Sequence, residues 1–357
     1  MVAGVKYGMR RKTVYFTAPK QIELREEPLP MFGADEVLVE TICSAISAGT
    51  EMLIYRGQFP NQVDAIDSIS SGLHYPTSYG YANVGRVIEI GKSVNGEWEN
   101  RLVFSFQPHT SHFTTKPESL IPIPDSLSPE AACFLPNMET AVNLVQDAAP
   151  ILGERVLVLG QGIIGLLTAA LLKEFLLETL VTADHYPLRR EASLGLGITA
   201  SLDPTTADFC EKALSHCHHV LIPDRDITEL PKRGGFDLTF ELSGNPAALN
   251  DAIAVTAFSG RIVIGSWYGE KRTQIDLGNV FHHSRIKLIS SQVSTIAPEL
   301  SARWDKSRRF QVALEALKRI QPQQWITHHF NIAQAAEAYK LLDESPGQAI
   351  QVVFNHA

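Results

Sequence analysis

The spacing of apolar positions changes along the chain, and those changes predict its architecture. In the first third, short runs of β-type residues are cut by turn residues: Thr13 to Phe16, Ile22 to Arg25, Glu36 to Cys43, Val84 to Ile90, Leu102 to Phe106 and Ser111 to Thr115. Pro28, Pro30 and Gly33, then Pro117, Pro122, Pro124 and Pro129, punctuate these runs. They predict a β-rich unit with little helix. Near residue 130 the period lengthens. Pro129 to Ala149 predicts a helix, Arg155 to Leu159 an apolar strand, Leu166 to Phe175 a mostly apolar helix and Leu180 to Ala183 the next strand. Helices over Arg189 to Leu196 and Ala207 to Leu214 follow, then strands Asp237 to Leu242 and Arg261 to Gly265 with a helix from Ala247 to Phe258 between them. Strand–helix alternation of this kind predicts a parallel, doubly wound sheet. Two amphipathic helices, Lys306 to Ile320 and Ala333 to Leu342, precede a closing strand, Ala349 to Phe354, which can return to the β-rich unit.

Composition narrows the class. At 357 residues, 45% hydrophobic and 20% charged, the chain is long enough for two folded domains. Its net charge of −8 and the lack of any basic run beyond pairs such as Arg10-Arg11 argue against nucleic acid and anionic membranes as partners. The four cysteines, Cys43, Cys133, Cys210 and Cys217, form no disulfide framework. Met1 to Thr17 holds no signal-peptide core, and the longest apolar run, Ile163 to Leu172, is too short to span a bilayer. A reducing, cytoplasmic setting is expected.

The strongest chemical signal is Gly160-Gln161-Gly162-Ile163-Ile164-Gly165, directly after the apolar run Val156 to Leu159. The first glycine permits a tight turn. The second lets the backbone approach a pyrophosphate, and the third lets helix and strand pack closely. The helix N-terminus then offers free N–H groups and partial positive charge to phosphate. About twenty residues on, the next strand ends at Asp184, whose carboxylate suits the ribose hydroxyls of NAD and repels a 2′-phosphate; Arg189 nearby could instead accept one. NAD is favoured over NADP. A glycine turn without a dinucleotide and an S-adenosylmethionine-binding fold are the competing readings, the second disfavoured because the alternation continues through a second half-sheet to Gly265.

With these residues in view, the chain resembles the medium-chain dehydrogenase/reductases, the superfamily of zinc alcohol and polyol dehydrogenases and zinc-free quinone reductases. The resemblance runs over nearly the whole chain: the β-rich start, Gly80 through Gly91, Thr140-Ala141, the Gly160 turn, Glu241-Leu242-Ser243-Gly244, Gly265 and the tail from Phe330 to Phe354. It implies an α/β chain with a GroES-like β-rich catalytic domain (1–137 and 293–357) and a Rossmann doubly wound parallel sheet (138–292), with the active site in the cleft between them. It also implies that Thr140, Ser243, Gly244, Gly265 and Ser266 lie near the nicotinamide. Lys287 to Val293 resembles the edge strand through which such Rossmann sheets pair, implying a homodimer.

The departures from the family matter as much. Zinc members carry Cys in the segment that here reads Ile46-Ser47-Ala48-Gly49-Thr50-Glu51, so Ser47 replaces a ligand. Tyr81 stands where they have His, and Pro136 falls at or near the third ligand position. Catalytic zinc needs three ligands of Cys, His or carboxylate type, and the four-Cys structural lobe is also missing, since residues 92 to 116 hold no Cys. No zinc is expected; Cys43 reads as a buried structural residue rather than a substitute ligand. Candidates for proton transfer are then Tyr81, Thr50, Ser47, Glu51 and His109. Tyr81 reads equally well as a filler of the zinc space, and Glu51 as a structural carboxylate. His109 and His112 could each be a loop histidine exposed to water; His216, His218, His219, His282, His283, His328 and His329 read as scattered loop or surface residues. Arg308-Arg309 could hold an anionic group but reads better as a solvated helix face.

The expectation is a zinc-independent, NAD-linked oxidoreductase that interconverts a secondary alcohol and a carbonyl, acting on a small-molecule substrate. The segment Ser44 to Glu51 resembles the subgroup containing hydroxyethyl-chlorophyllide dehydrogenase. An NADPH-dependent enoyl or quinone reductase and a non-catalytic nucleotide-binding relative are the alternatives.

Overall fold

The computed structural model describes residues 8–58, 74–217 and 234–356. Its strands in chain order are β1 (Arg10–Ala18), β2 (Gln21–Pro28), β3 (Val37–Ala45), β4 (Thr77–Ser78), β5 (Asn83–Ile90), β6 (Leu102–Ser105), β7 (His112–Thr115), β8 (Ile121–Pro122), β9 (Arg155–Leu159), β10 (Thr179–Ala183), β11 (Ala200–Leu202), β12 (Phe236–Glu241), β13 (Thr256–Ile264), β14 (Lys287–Ser290), β15 (Ile326–Asn331) and β16 (Gln351–Asn355). The α-helices are α1 (Glu51–Arg56), α2 (Pro129–Ala132), α3 (Leu135–Ala148), α4 (Ile163–Leu172), α5 (Pro187–Gly195), α6 (Phe209–Ser215), α7 (Ala248–Val255), α8 (Lys306–Ile320) and α9 (Ala335–Glu344). The chain divides into two compact units, Met1–Pro136 with Leu317–Ala357, and Asn137–Ala316.

The first unit is the β-rich one. Among the described residues, a small sheet runs β2-β1-β4, and a larger one runs β15-β16-β3-β5-β6-β8, with β7 also paired to β3. The central strand β3 is buried at nearly every position because neighbours cover both its faces. Val14 and Phe16 of β1 pack with Ile46, Ile54, Tyr339 and Phe354 into one apolar cluster. The tail therefore does return: β16 pairs antiparallel with β3, Phe354 opposite Ser44.

Among the described residues, the second unit holds a six-stranded parallel sheet in the order β11-β10-β9-β12-β13-β14. Renumbered within the unit this is 3-2-1-4-5-6, the doubly wound order that reverses between its first and fourth strands. Strand β9 is buried throughout, and its side chains alternate between two cores. Val156 and Val158 join Leu238, Phe240 and Leu144 on one face; Leu157 and Leu159 join Val181, Phe236 and Ile253 on the other.

Several expectations change in detail. The helix over Pro129 to Ala149 is two helices that part at Cys133 and Phe134. Pro136 has no N–H for the carbonyl of Ala132, so a continuous helix would lose that bond and clash there. Helix α7 stops at Val255 instead of Phe258. Thr256 turns extended, its hydroxyl donates to the Ala252 carbonyl at 2.7 Å, and β13 begins. The polar-looking Ile326–Asn331 is a strand, so His328 and His329 are not loop residues, although His329 lies at the surface as expected; β15 pairs in parallel with β16. Arg309 corrects the reading of a solvated pair. It is fully buried, with Nε and Nη2 on Glu139 Oε1 at 3.1 and 2.7 Å, Nη1 on Asn143 Oδ1 at 2.6 Å, and further bonds to the carbonyls of Thr295 and Val293. It pins α8 and the 293–295 loop to α3, while Arg308 beside it lies exposed over the Trp304 ring. His218 and His219 lie outside the described residues.

Candidate functional site

Two polar constellations stand out, one in each unit. In the second, strand β9 ends at Leu159 and the chain turns through Gly160 to Gly165 into α4. Gly160 has φ of +91°, and a Cβ there would stand 2.6 Å from the backbone of Leu242 and Ser243 at the end of β12. The turn thus presses against the neighbouring strand at the point where the strand order reverses. A Cβ on Gly165 would meet the Gly160 carbonyl oxygen at 1.8 Å, so the helix can approach the turn only without a side chain. Gly162 differs. Its φ is an ordinary −63°, and a Cβ would meet only Arg189 Nη1, at 3.9 Å. It is the N-cap of α4 and supplies no side-chain cap, so the first N–H groups of Ile163 and Ile164 have no helical acceptor. The protein does not require glycine at 162; a group held against that backbone would.

Asp184 sits one residue past β10 and is 6% exposed. Its Oδ2 accepts from the Gln161 N–H at 2.7 Å and its Oδ1 from the Tyr186 N–H at 2.8 Å, which fixes the carboxylate beside the turn. Arg189 Nη1 lies 3.9 Å from Asp184 Oδ2, its guanidinium over the Tyr186 ring. Gln161 is buried beneath the turn. Its Nε2 donates to the Gly160 carbonyl, and its Oε1 accepts from Ser193, whose hydroxyl also bonds Thr182. At the end of β12, buried Glu241 accepts from the Ser243 N–H at 2.8 Å, from the Ser243 hydroxyl and from the Tyr268 hydroxyl. Burial, with Glu241 beside it, pushes the Tyr268 phenol up. Ser266 Oγ accepts from the Gly244 N–H at 2.9 Å. Gly265 packs against Leu144 and Leu242, and Thr140 lies on α3. The structure thus joins Ser243, Gly244 and Ser266 in one network and keeps Thr140 on the helix that covers the sheet.

In the first unit, β3 runs out into the turn Ser47 to Thr50, which starts α1 at Glu51. Tyr81 donates to Ser47 Oγ at 2.5 Å and reaches Thr50 Oγ1 at 3.5 Å. Burial raises the Tyr81 phenol above its usual value of 10.0; the Ser47 and Thr50 bonds oppose this, and Glu51 adds to it. Glu51 is wholly buried. Its Oε1 accepts from the Ser47 N–H at 2.8 Å, and its Oε2 meets His109 Nε2 at 3.0 Å and the Tyr339 hydroxyl at 2.5 Å. Burial, then Glu51, holds the Tyr339 phenol well above its usual range. His109 is buried as well, which removes the reading of a solvent-facing loop residue. Its Nδ1 meets Ser44 Oγ at 2.7 Å, and Ser44 Oγ meets His356 Nε2 at 2.8 Å. Gly80 makes this possible: with φ of +129°, its Cβ would stand 2.9 Å from the His109 ring. Tyr339 and His356 carry no signal in the sequence, because they lie far from Glu51 along the chain, and Ser44 stands there only as the start of the Ser44 to Glu51 segment. The one local signal was Gly80 beside Tyr81.

The five candidates Ser47, Thr50, Glu51, Tyr81 and His109 therefore converge. Pro136 is taken up in α3. A zinc ion does not fit this donor set. Ser47 and Tyr81 offer hydroxyls bonded to each other, Glu51 and His109 are bonded to each other, and among the described residues no three His, Cys, Asp or Glu side chains converge. Cys43 lies apart from these groups, buried, with its Sγ 3.4 Å from Cys133 Sγ.

Comparison with known proteins points to dehydrogenases, and the name of the matching family runs against the reading that no zinc is held. Residues 164–310 match the family model described as zinc-binding dehydrogenase. An L-threonine 3-dehydrogenase of Xanthomonas campestris pv. campestris (strain B100) is 27% identical over 277 residues, covering 69% of this chain and 74% of that protein. The chain is similar to these dehydrogenases and is an oxidoreductase. Its fold matches an Escherichia coli CFT073 structure, described as a short chain alcohol dehydrogenase complexed with cofactor NADH, at a TM-score of 0.76 and 18% identity, over 98% of this chain and 100% of the other. A 2R,3R-butanediol dehydrogenase from Bacillus subtilis matches at the same TM-score and identity, over 97% and 100%. At these identities the two structures speak for the fold, a GroES-like unit with a Rossmann unit. Among the described residues no helix is long and apolar enough to cross a membrane.

Proposed function

We propose that the chain is a zinc-independent, NAD(H)-linked oxidoreductase that interconverts a secondary alcohol and a carbonyl. The observation that carries this reading is the contrast within the glycine turn: Gly160 and Gly165 answer to neighbouring backbone, whereas Gly162 answers to nothing in the protein. A pyrophosphate on the α4 N-terminus accounts for it. Bound there, a nicotinamide nucleotide supplies or accepts a hydride. Gly162, Ile163 and Ile164 would hold its phosphates by backbone N–H groups, and Asp184 its adenosine ribose by the lone pairs that Gln161 and Tyr186 leave over. Tyr81 is the proton donor to a carbonyl oxygen. Ser47 and Thr50 fix the direction of its hydroxyl, and its raised phenol keeps the proton in place at neutral pH. A relative named for L-threonine lends weight to a small secondary alcohol.

The first unit is then the catalytic domain and the second the dinucleotide domain of a cytoplasmic enzyme. Strand β14 ends the parallel sheet with Leu288 exposed, and we assign the homodimer contact to that edge. A second reading, an NADPH-linked enoyl or quinone reductase, is favoured by one observation: Arg189 stands close enough to Asp184 to offset its charge. The test is NADH and NADPH titration by fluorescence, followed by turnover on a panel of secondary alcohols, ketones and activated alkenes. Alcohol–ketone turnover with NAD(H) that falls by about 10²–10⁴-fold in Tyr81→Phe is expected. Turnover of alkenes alone with NADPH establishes the second reading.

A further inference from the structure

The chemistry proposed for Tyr81 leaves one buried array without a use. His356 Nε2, Ser44 Oγ, His109 Nδ1, His109 Nε2 and Glu51 Oε2 follow one another at 2.8, 2.7 and 3.0 Å, with no break other than the imidazole ring of His109. Ser44, His109 and Glu51 are sealed from solvent. His356 follows directly on β16, and its other nitrogen, Nδ1, is buried without a hydrogen-bond partner among the described residues.

The donors along this array follow from an ionised Glu51 and neutral imidazoles. Glu51 already receives the Ser47 N–H and the Tyr339 hydroxyl, so as a carboxylate it takes a third proton donor, His109 Nε2–H. In a neutral His109, Nδ1 is then an acceptor and takes the Ser44 hydroxyl. Ser44 Oγ in turn accepts from His356 Nε2–H, and His356 Nδ1 is left as a bare lone pair. With Glu51 ionised and both imidazoles neutral, a single polarity satisfies every link and leaves one unused site, His356 Nδ1, at the end away from Glu51. Burial, with His109 and His112 beside it, holds the His356 imidazole down to about 3, which agrees with the neutral form that this polarity requires.

We propose that His356, Ser44 and His109 form a proton relay to Glu51, and that the charge on Glu51 governs proton donation by Tyr81. A proton arriving at His356 Nδ1 displaces the Nε2 proton to Ser44 Oγ. Ser44 passes its own to His109 Nδ1, and His109 passes its Nε2 proton to Glu51 Oε2. One proton enters, Glu51 becomes neutral, and every link has reversed direction. Glu51 does not touch the Tyr81 hydroxyl; it holds the Ser47 N–H while Ser47 Oγ holds Tyr81, and its charge opposes ionisation of the phenol. Glu51, His109 and His356 are thus positioning residues rather than catalytic ones. The other titratable groups packed around the relay are Tyr339 on α9, Tyr81, and His112 on β7, which bonds Ser111 Oγ at 3.1 Å and faces Glu40 at 3.7 Å.

The proposal uses the proton-donor reading of Tyr81, but its test needs no substrate. In the full chain labelled with [15N]histidine, long-range spectra report the tautomer of each imidazole, with His109→Gln and His356→Gln assigning the signals. At pH 8 both residues are expected as neutral Nε2–H tautomers; opposite tautomers in the two rings, or a charged His356, would overturn the relay. In protein labelled at the tyrosine ring carbon bearing oxygen, the Tyr81 signal is expected to ionise at lower pH in Glu51→Gln than in the wild type. An unmoved Tyr81 titration in a folded Glu51→Gln protein overturns the link to Tyr81. Should that variant not fold, His109→Gln is read in the same way, with a shift expected and an unmoved signal again decisive against it. Loss of turnover in Tyr81→Phe bears on the function and leaves these spectra untouched, so the two readings fail separately.

Discussion

The two constellations are built in opposite ways. The glycine turn is compact in sequence, made of backbone, and constrained at two of its three glycines by neighbouring main chain. The Tyr81–Glu51–His109 cluster is assembled from β3, α1, two loops, α9 and the chain terminus, and it is made of side chains that satisfy one another. The difference separates two kinds of evidence for function. In the turn, the informative residue is the one the fold does not need, Gly162. In the cluster, the informative feature is a network in which a buried carboxylate is matched by donors instead of by a lysine or arginine.

The sharpest way to break the comparison is to add one methyl group at each of two glycines. Gly165→Ala places a carbon against the Gly160 carbonyl, and the helix must shift or the turn must open. We expect a loss of stability above about 4 kcal/mol, the range reached by severe overpacking, or failure to fold. Gly162→Ala finds open space and should unfold within about 0.5 kcal/mol of the wild type. Its NADH affinity should nevertheless fall by at least about tenfold, or ~1.4 kcal/mol. Thermal unfolding and fluorescence titration on the two variants check this. Unchanged NADH binding in Gly162→Ala would remove the turn as the nucleotide site.

Next in size is the arginine pair on α8. Removing one partner of a buried ion pair costs about 3–5 kcal/mol, so Arg309→Met should destabilise by that order, leaving Glu139 buried without its partner. Arg308→Met, on the exposed neighbour, should cost less than about 1 kcal/mol. Denaturant melts of the two variants are the measurement. Equal effects would mean that the burial of Arg309 contributes nothing.

These cases show what the sequence made legible. The alternation of strands and helices, the turn and the return of the last strand were readable because each is a local pattern or a short spacing. Arg309 was not: a run of Arg308-Arg309 on an amphipathic helix reads as solvent-facing until Glu139, Asn143 and two carbonyls are known to surround it. Strand β15 was missed because Thr327, His328, His329 and Asn331 lack the β-type alternation; its pairing with β16 outweighs that local preference. In the site, the residue types at Ser47, Tyr81 and Pro136 argued against a zinc ligand set before any coordinates. The partners of Glu51 came only with the fold, since Tyr339 is 288 positions away.

A smaller effect tests the cluster through pH. His356 is held at about 3 when folded against 6.5 when unfolded. Between those values the unfolded chain binds a proton that the folded chain does not, so stability falls as the pH is lowered through this window. The slope for one such group is at most about 1.4 kcal/mol per pH unit. His356→Gln should flatten the slope between pH 6.5 and pH 3 relative to the wild type in denaturant titrations. The same slope in both proteins would place the acid sensitivity elsewhere.

The smallest expected effect is none at all, and it bears on the metal. If a zinc ion were held at Ser47 and Tyr81, their hydroxyls would have to leave each other and displace the bond now 2.5 Å long, and Glu51 would have to give up His109 to become a ligand. Each rearrangement exchanges a satisfied buried contact for a donor set that suits zinc poorly, since neutral hydroxyls are weak ligands beside thiolate and imidazole. Prolonged treatment with a strong chelator should therefore leave both thermal stability and NADH binding unchanged, and elemental analysis of the purified protein should find zinc well below one atom per chain. A zinc-dependent loss of stability on chelation would require a ligand set built from other residues, and it would detach Tyr81 from the proton chemistry assigned to it.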